Sequence, residues 1–170
     1  LSKNMSVEIP EDLQNLEANG GIFAIWMIFH HYGIDLNISD LTQLCQHDLE
    51  MGSSSIALAV ALKTLGLDVD FYTEHDADKQ PIEVDFYQQA HRLNIPVTEQ
   101  PLSYTEIQEN VEAGRFVIVF YDTLEGVGNH SLVYAIDENE ISFFDSFETM
   151  PAHVFEQQRR VGGICQQVIV

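Results

Sequence analysis

The first half of the chain carries its hydrophobic residues in the patterns of buried and capped helices. Residues 22–29 are uninterrupted apolar positions that follow Gly20 and Gly21 and end shortly before Gly33. A run that is apolar on every side and stops at a glycine predicts a buried central helix. Ser39-Asp40 and then Ser53 to Ser55 are residue types that cap helix N-termini, so they predict two further helices, over 41–47 and 56–65.

The second half carries the alternating or continuous apolar runs of strands. Residues 116–121 are β-branched and aromatic, which predicts a central strand, and residues 131–136 and 140–144 predict a hairpin. The pattern further predicts strands over 67–73, 95–98 and 164–170 and helices over 83–93, 103–113 and 151–158. Helices first and antiparallel strands later indicate one α+β domain over residues 1–170, with the central helix packed on a C-terminal antiparallel sheet.

The composition adds an acidic surface to this picture. Of 170 residues, 45% are hydrophobic, which suffices for a sizeable core, while 7 Lys and Arg against 27 Asp and Glu give a net charge of −20. A globular chain of this charge repels phosphate backbones, so neither nucleic acid nor an anionic membrane is an expected partner.

Cysteine usage and apolar run lengths bear on compartment and cofactors. Cys45 and Cys165 fit no paired metal or disulfide spacing, and Cys45 lies among leucines as a core thiol would. The longest apolar run, 22–29, is far shorter than a membrane span, and the N-terminus lacks a signal-peptide pattern. His30, His31 and His47 form no helical i, i+4 ligand pair. We expect a cytoplasmic protein with no direct membrane insertion, no metal and no other cofactor.

Candidate chemistry lies in four residues at particular places in these elements. Gln14 stands six positions before Gly20, which opens the central helix with Gly21. His130 begins one strand of the hairpin and Asp145 follows the other, where pairing is expected to bring them side by side. From the residues alone, His130 and Asp145 are either a former acid–base pair or a brace for the hairpin.

In order and spacing these residues resemble a known family, the C39 bacteriocin-processing peptidases of bacteria and their C39-like relatives, in the papain-like cysteine peptidase superfamily. The resemblance runs from about Gln14 to Asp145 and includes Tyr32-Gly33 and Gly52-Ser53. It implies a papain-like fold in which His130 takes the nucleophile's proton, Asp145 orients His130, and Gln14 helps to bind the oxyanion.

One departure from the family pattern bears on activity. Gly20 stands where the family has its nucleophilic Cys, and neither Cys45 nor Cys165 fits that place. Loss of the nucleophile from such a triad lowers kcat by about 10⁶-fold. We therefore predict a pseudoenzyme that binds a peptide or unfolded protein segment in the former cleft through Gly20, Gly21, Gln14 and His130. Degenerate members of the family are fused to toxin-exporting transporters, so the resemblance implies a transporter or a secreted substrate as partner.

Two alternatives stay open. In the first, His130 oriented by Asp145 activates water or a substrate hydroxyl, and the protein is a hydrolase or transferase. In the second, the domain is an interaction or effector module that docks a basic partner on its acidic face. Acidic residues near the expected cleft, among them Glu8, Glu11 and Asp122, favour a basic or zwitterionic peptide over a simple anion.

Overall fold

The computed structural model describes residues 8–123, 128–145 and 149–170. In chain order, the elements of these residues are α1 (Glu11–Gln14), α2 (Gly20–His31), α3 (Ile38–Leu44), α4 (Ser55–Thr64), β1 (Phe71–Tyr72), α5 (Pro81–Arg92), β2 (Val97–Thr98), α6 (Tyr104–Glu112), β3 (Ile118–Asp122), β4 (Gly128–Ile136), β5 (Glu140–Phe143), β6 (Thr149–Pro151), α7 (Ala152–Arg159) and β7 (Val168–Ile169).

The helical layer is built around α2, as the apolar run predicts. Residues 21–29 of this helix are all buried, and α4 packs beside it with its own residues 55–62 buried. Ser54 caps α4 by accepting a hydrogen bond from the Ala57 N–H. The helix α3 begins earlier than predicted, because the extended Asn37, and not Ser39, accepts the capping hydrogen bond from the Asp40 N–H.

The strands form one sheet in the order β2-β1-β7-β3-β4-β5-β6. Every neighbouring pair is antiparallel except β1 and β2, which are parallel. The late strand β7 lies between β1 and β3 and so joins the two parts of the sheet. The strand predicted over 164–170 shortens to Val168–Ile169, because Cys165 and Gln166 adopt left-handed backbone angles, with φ of 58° and 46°.

The sheet separates two hydrophobic cores. One core joins α2 and α4 to Ile118, Leu132 and Ile169 on one face of the sheet. The other, with Tyr121, Val133 and Phe155, lies on the opposite face beneath α6 and α7. This α+β arrangement of N-terminal helices and a largely antiparallel sheet confirms the predicted fold class. The sequence pattern did not indicate α1 or β6.

Within the described ranges, no helix is both long enough and apolar enough to cross a lipid bilayer.

Candidate functional site

A hollow of about 360 Å³ lies at the N-terminus of α2. Its walls are the first residues of α2, the loop of residues 49–53 that leads into α4, and the beginning of β4. The loop is held as a tight turn, since Asp48 and Gly52 exchange backbone hydrogen bonds of 2.9 and 2.8 Å. The Asp48 carboxylate accepts from the N–H groups of Met51 and Glu50, which lowers its pKa.

Gly20 lies at the floor of this hollow, where strand β4 passes very close to the helix. A Cβ added to Gly20 would collide with the His130 carbonyl oxygen and would lie 2.7 Å from Asn129 Oδ1. The backbone of β4 therefore occupies the direction in which a side chain at this position would point. The open space lies beside Gly20 rather than along its missing side chain, and the close approach itself gives a packing reason for glycine.

The first turn of α2 borders the hollow. Asn19, the residue before the helix, makes no side-chain cap and instead donates from Nδ2 to the Leu13 carbonyl oxygen at 2.9 Å. Gly20 and Gly21 both line the hollow. The N–H groups of a first helical turn have no partner within the helix, so they are available to a polar ligand.

His130 is a core residue rather than an exposed base. Its ring is stacked on Phe120 at 4.2 Å between centroids, and Nε2 lies 2.7 Å from Ser55 Oγ. Only 6% of the residue is exposed, and burial lowers its pKa to about 3. The imidazole is therefore neutral at physiological pH and a weak proton acceptor.

Asp145 belongs to a different polar group, on the other face of the sheet. Ser131 Oγ donates to Asp145 Oδ2 at 3.1 Å and lies 2.8 Å from the Tyr121 hydroxyl. Asn129 donates from Nδ2 to both Tyr121 and Ser131, at 3.2 and 3.3 Å. Because successive residues of a strand point to opposite faces, the Ser131 side chain that meets Asp145 points away from the His130 ring. The structure thus brings Asp145 to β4, but not to the His130 imidazole.

Gln14 lies outside the hollow. It is exposed at the end of the one-turn helix α1, and its Nε2 donates to the Ile9 carbonyl oxygen at 2.8 Å. With Glu8 and Asp35 it lines a separate surface depression. Gln14, Gly20, His130 and Asp145 were the positions expected to converge. The structure brings Gly20 and its neighbour Gly21 to the backbone of His130. The side chains of Gln14 and Asp145 lie elsewhere.

A contact that the sequence did not indicate ties the walls of the hollow together. His47 Nε2 lies 2.7 Å from the Glu17 carbonyl oxygen, and Nδ1 lies 2.8 Å from Ser53 Oγ. A carbonyl oxygen only accepts, so Nε2 carries the hydrogen, and in the neutral ring Nδ1 accepts from the Ser53 hydroxyl. The sequence drew attention to His47 only in the context of metal binding, which its spacing argues against, and no motif joins it to Ser53 or to residue 17.

Neither cysteine offers a replacement nucleophile. Cys45 is buried in the helical core, as the sequence predicts, and burial raises the pKa of its thiol to about 12. Burial, with the carboxylates of Asp76 and Glu74 nearby, raises the pKa of Cys165 to about 11. Both thiols stay protonated at neutral pH, and neither lines the hollow.

Comparison with known proteins places this geometry in a family. The model of the Peptidase C39 family matches residues 9–94, about half of the chain. The chain belongs to the Peptidase C39 family. The match includes α2 and the loop that leads to α4, and it ends before β3, so His130 and Asp145 lie beyond it. No curated protein matches the chain.

A solved structure extends the likeness of this C39 chain across the sheet. The crystal structure of the peptidase domain of Streptococcus ComA, described as a bi-functional ABC transporter involved in a quorum sensing pathway, matches with a TM-score of 0.55. The match covers 86% of this chain and 85% of that one at 13% identity. At that identity the likeness shows the fold, which is the papain-like fold of C39 peptidases.

Proposed function

We propose that this C39 family domain is a pseudoenzyme with respect to thiol peptidase chemistry, and that it binds a peptide or unfolded protein segment in the hollow at the N-terminus of α2. The observation that carries the proposal is Gly20, which stands at the expected nucleophile position with the backbone of β4 packed against it. A thiolate cannot form there, while Gly20 and Gly21 line the hollow and their N–H groups, in the first turn of α2, have no acceptor within the helix.

The former base offers no substitute route. His130 is buried, stacked and bonded to Ser55, and its side chain lies on the opposite face of the sheet from the Ser131 side chain that meets Asp145. A general base needs a pKa near the working pH, whereas burial lowers the pKa of His130 to about 3. We therefore do not propose a hydrolase or transferase reaction run by His130 and Asp145.

The lining of the hollow favours a ligand that is both basic and apolar. Glu17 and Glu50 supply carboxylates, and the named lining residues include no Lys or Arg. Leu49 and Met51 stand on the rim with 65% and 79% of their surface exposed. A peptide with a cationic group beside a large apolar side chain would complement both features.

Asn129 adds an acceptor of defined orientation. Its Nδ2 is used on Tyr121 and Ser131, which leaves Oδ1 on the side of Gly20. A ligand ammonium or guanidinium group would be a suitable donor to this oxygen. The similar ComA domain is part of an ABC transporter by its description, which supports a transporter or a secreted substrate as the source of the peptide.

The proposal is tested by NMR titration with two peptides of equal length, one rich in Leu, Met and Lys and one with Glu in place of each Lys. We expect the basic peptide to shift the amide resonances of Gly20 and Gly21, and the acidic peptide to leave them unchanged. The double variant Glu17→Gln/Glu50→Gln is expected to weaken basic-peptide binding about 10-fold, while Asp35→Asn, in the depression beside Gln14, serves as the matched control.

Two outcomes would count against the proposal. If no flexible peptide shifts these resonances, the hollow is not a peptide site. If binding is strongly salt-dependent but insensitive to Glu17 and Glu50, the domain acts instead as an acidic docking module that uses another face.

A further inference from the structure

We propose that Ser53 and His47 form a nucleophile–base pair that accepts an acyl group from a small carboxylic ester. This activity is separate from peptide binding, does not involve the His130 side chain, and uses the lost thiol position, Gly20, only through its backbone N–H. Its basis is a hydrogen-bonded chain of three groups: the Ser53 hydroxyl, the His47 imidazole and the Glu17 carbonyl oxygen. Ser53 and Glu17 line the hollow, and His47 joins them.

The hydrogen bonds orient the pair for proton transfer. The Glu17 carbonyl oxygen fixes the hydrogen of His47 on Nε2, so the lone pair of Nδ1 faces Ser53 Oγ at 2.8 Å. A nucleophile within hydrogen-bond reach of a base, with the base oriented by a third group, is the arrangement that activates a serine. Here a backbone carbonyl takes the orienting role that a carboxylate plays in other triads.

The chain contains a second Ser–His pair, Ser55–His130, which differs from Ser53–His47 in the residue that lines the hollow. Ser55 and His130 are 2.7 Å apart and both are buried, as Ser53 also is, and Phe120 stacks on the imidazole. Ser55 is not part of the lining of the hollow, whereas Ser53 is. The two pairs share their chemistry, but the residue that lines the hollow is the serine in Ser53–His47 and the histidine in Ser55–His130, so only the first pair presents its hydroxyl-bearing residue to a substrate there.

The hollow also supplies stabilisation for a developing negative charge. The first-turn N–H groups of α2, at Gly20 and Gly21, border the same space, and Asn19 does not cap them. Backbone donors directed at the oxygen of a tetrahedral intermediate are among the largest contributions to acyl-transfer catalysis. In this inference they serve as the oxyanion site for an acyl group on Ser53.

The reaction balances without any further reagent. Ser53 Oγ attacks the ester carbonyl carbon while its proton passes to His47 Nδ1. The bond from the carbonyl carbon to the leaving alkoxide then breaks, and His47 returns the proton to that oxygen as the alcohol departs. Water, deprotonated by the same Nδ1, hydrolyses the acyl-serine and releases a carboxylic acid.

The lining defines the class of ester. Glu17 and Glu50 repel an anionic substrate, and the exposed Leu49 and Met51 suit a short apolar acyl or alcohol group. A hollow of about 360 Å³ fits a small molecule or one side chain. We therefore expect reaction with neutral or cationic esters and little with dicarboxylate half-esters.

The test uses a fluorophosphonate probe, which forms a bond to an activated serine with loss of fluoride. Intact-mass measurement is expected to show one adduct on the natural sequence, and peptide mapping should place it on Ser53. Ser53→Ala should remove the adduct. His47→Gln, which keeps a donor for the Glu17 carbonyl oxygen but has no imidazole, should slow labelling by about 100-fold or more. Ser39→Ala, at an exposed serine outside the hollow, is the matched control and should label as the natural sequence does.

The same variants are then assayed for hydrolysis of a short-chain nitrophenyl ester. We expect the natural sequence and Ser39→Ala to be fastest, His47→Gln to be slower, and Ser53→Ala to be inactive. The absence of any adduct on the natural sequence, an adduct mapped to another residue, or equal labelling of His47→Gln would each overturn the inference. Because the mapping is done on the unsubstituted chain, the result stands even if Ser53→Ala does not fold.

Discussion

His47 and His130 flank the same region in opposite environments. His47 joins Glu17 and Ser53, two residues that line the hollow, whereas His130 is buried between Phe120 and Ser55. A resemblance based on sequence order selects His130, because it precedes an apolar strand. In our inference His47 is the working imidazole, because it is only partly buried and contacts Ser53, which lines the hollow.

Burial of His130 predicts a specific pH dependence of stability. Its pKa is about 3 in the folded protein, against about 6.5 for an unfolded histidine. The unfolded chain therefore binds the proton first. The stability that neutral His130 contributes is fully present above pH ~6.5 and is lost as the pH falls towards 3, by at most about 1.4 kcal/mol per pH unit.

Urea unfolding between pH 4 and 7 checks this expectation against His130→Gln, which keeps a hydrogen-bonding group for Ser55 but does not titrate. The free energies of unfolding of the two proteins should change differently with pH in this range, with the natural sequence losing more on acidification. If the free energies of unfolding of the two proteins change with pH in parallel, then His130 does not take up a proton on unfolding, contrary to what its burial predicts.

Helices α2 and α4 owe their close packing to a second glycine. A Cβ added to Gly21 would lie 2.7 Å from Leu58 Cδ1, and both residues are buried. The contact joins two packed helices, so an added methyl group can be accommodated only if the side chain of Leu58 or one of the helices shifts within the core.

A double-mutant cycle tests this packing. Gly21→Ala should lower the free energy of unfolding by about 1–3 kcal/mol through overpacking, and Leu58→Ala by about 2–5 kcal/mol through a cavity. In the double variant the added methyl group occupies part of that cavity, so the combined loss should be smaller than the sum by at least ~0.5 kcal/mol. Gly162→Ala, where an added Cβ meets no atom within 4 Å, is the control and should be nearly neutral. Strict additivity would contradict the packing.

The element scale also shows how far the sequence determines the fold. The buried helix α2 and the helix α4 follow from local signals: an apolar run, a capping serine and a terminating glycine. The strands β1 and β7 are two residues long and exist only through pairing with distant partners, which no local pattern specifies.

The candidate site was harder to predict, because it depends on single-residue details. Strand alternation puts the Ser131 side chain, rather than that of His130, against Asp145, and residue types alone do not indicate which of two neighbouring strand residues makes that contact. The link from His47 to the backbone of residue 17 joins positions far apart in sequence through a main-chain atom. Residue types alone do not indicate such a contact, because its acceptor is a backbone atom.

For the whole molecule, the net charge of −20 is the dominant long-range property. In the described part of the chain, few of the carboxylates pair with a Lys or Arg side chain; Lys63 with Asp68 and Arg115 with Asp70 are examples. Most of the negative charge is therefore uncompensated. Like charges confined to one compact surface repel one another, and this repulsion favours the expanded unfolded chain.

We expect the free energy of unfolding to rise as NaCl is increased from about 10 to 150 mM, because the Debye length falls from about 30 to 8 Å over that range. The triple variant Asp78→Asn/Glu112→Gln/Glu138→Gln, all at exposed positions, should be more stable at low salt and less sensitive to salt. Thermal unfolding of both proteins across the salt series measures the effect. Equal salt sensitivity of the two would show that surface repulsion is not its source.

The position of β7 in the sheet has a consequence for the growing chain. Synthesis proceeds from the N-terminus, so Phe71 and Tyr72 of β1 leave the ribosome long before Val168 and Ile169, the strand that joins them to β3. Until then one edge of β1 has no partner, although β2 can already pair with the other. The nascent protein therefore passes through a stage with an open strand edge, when chaperones or other copies can engage it, and the sheet closes only after synthesis has passed residue 169.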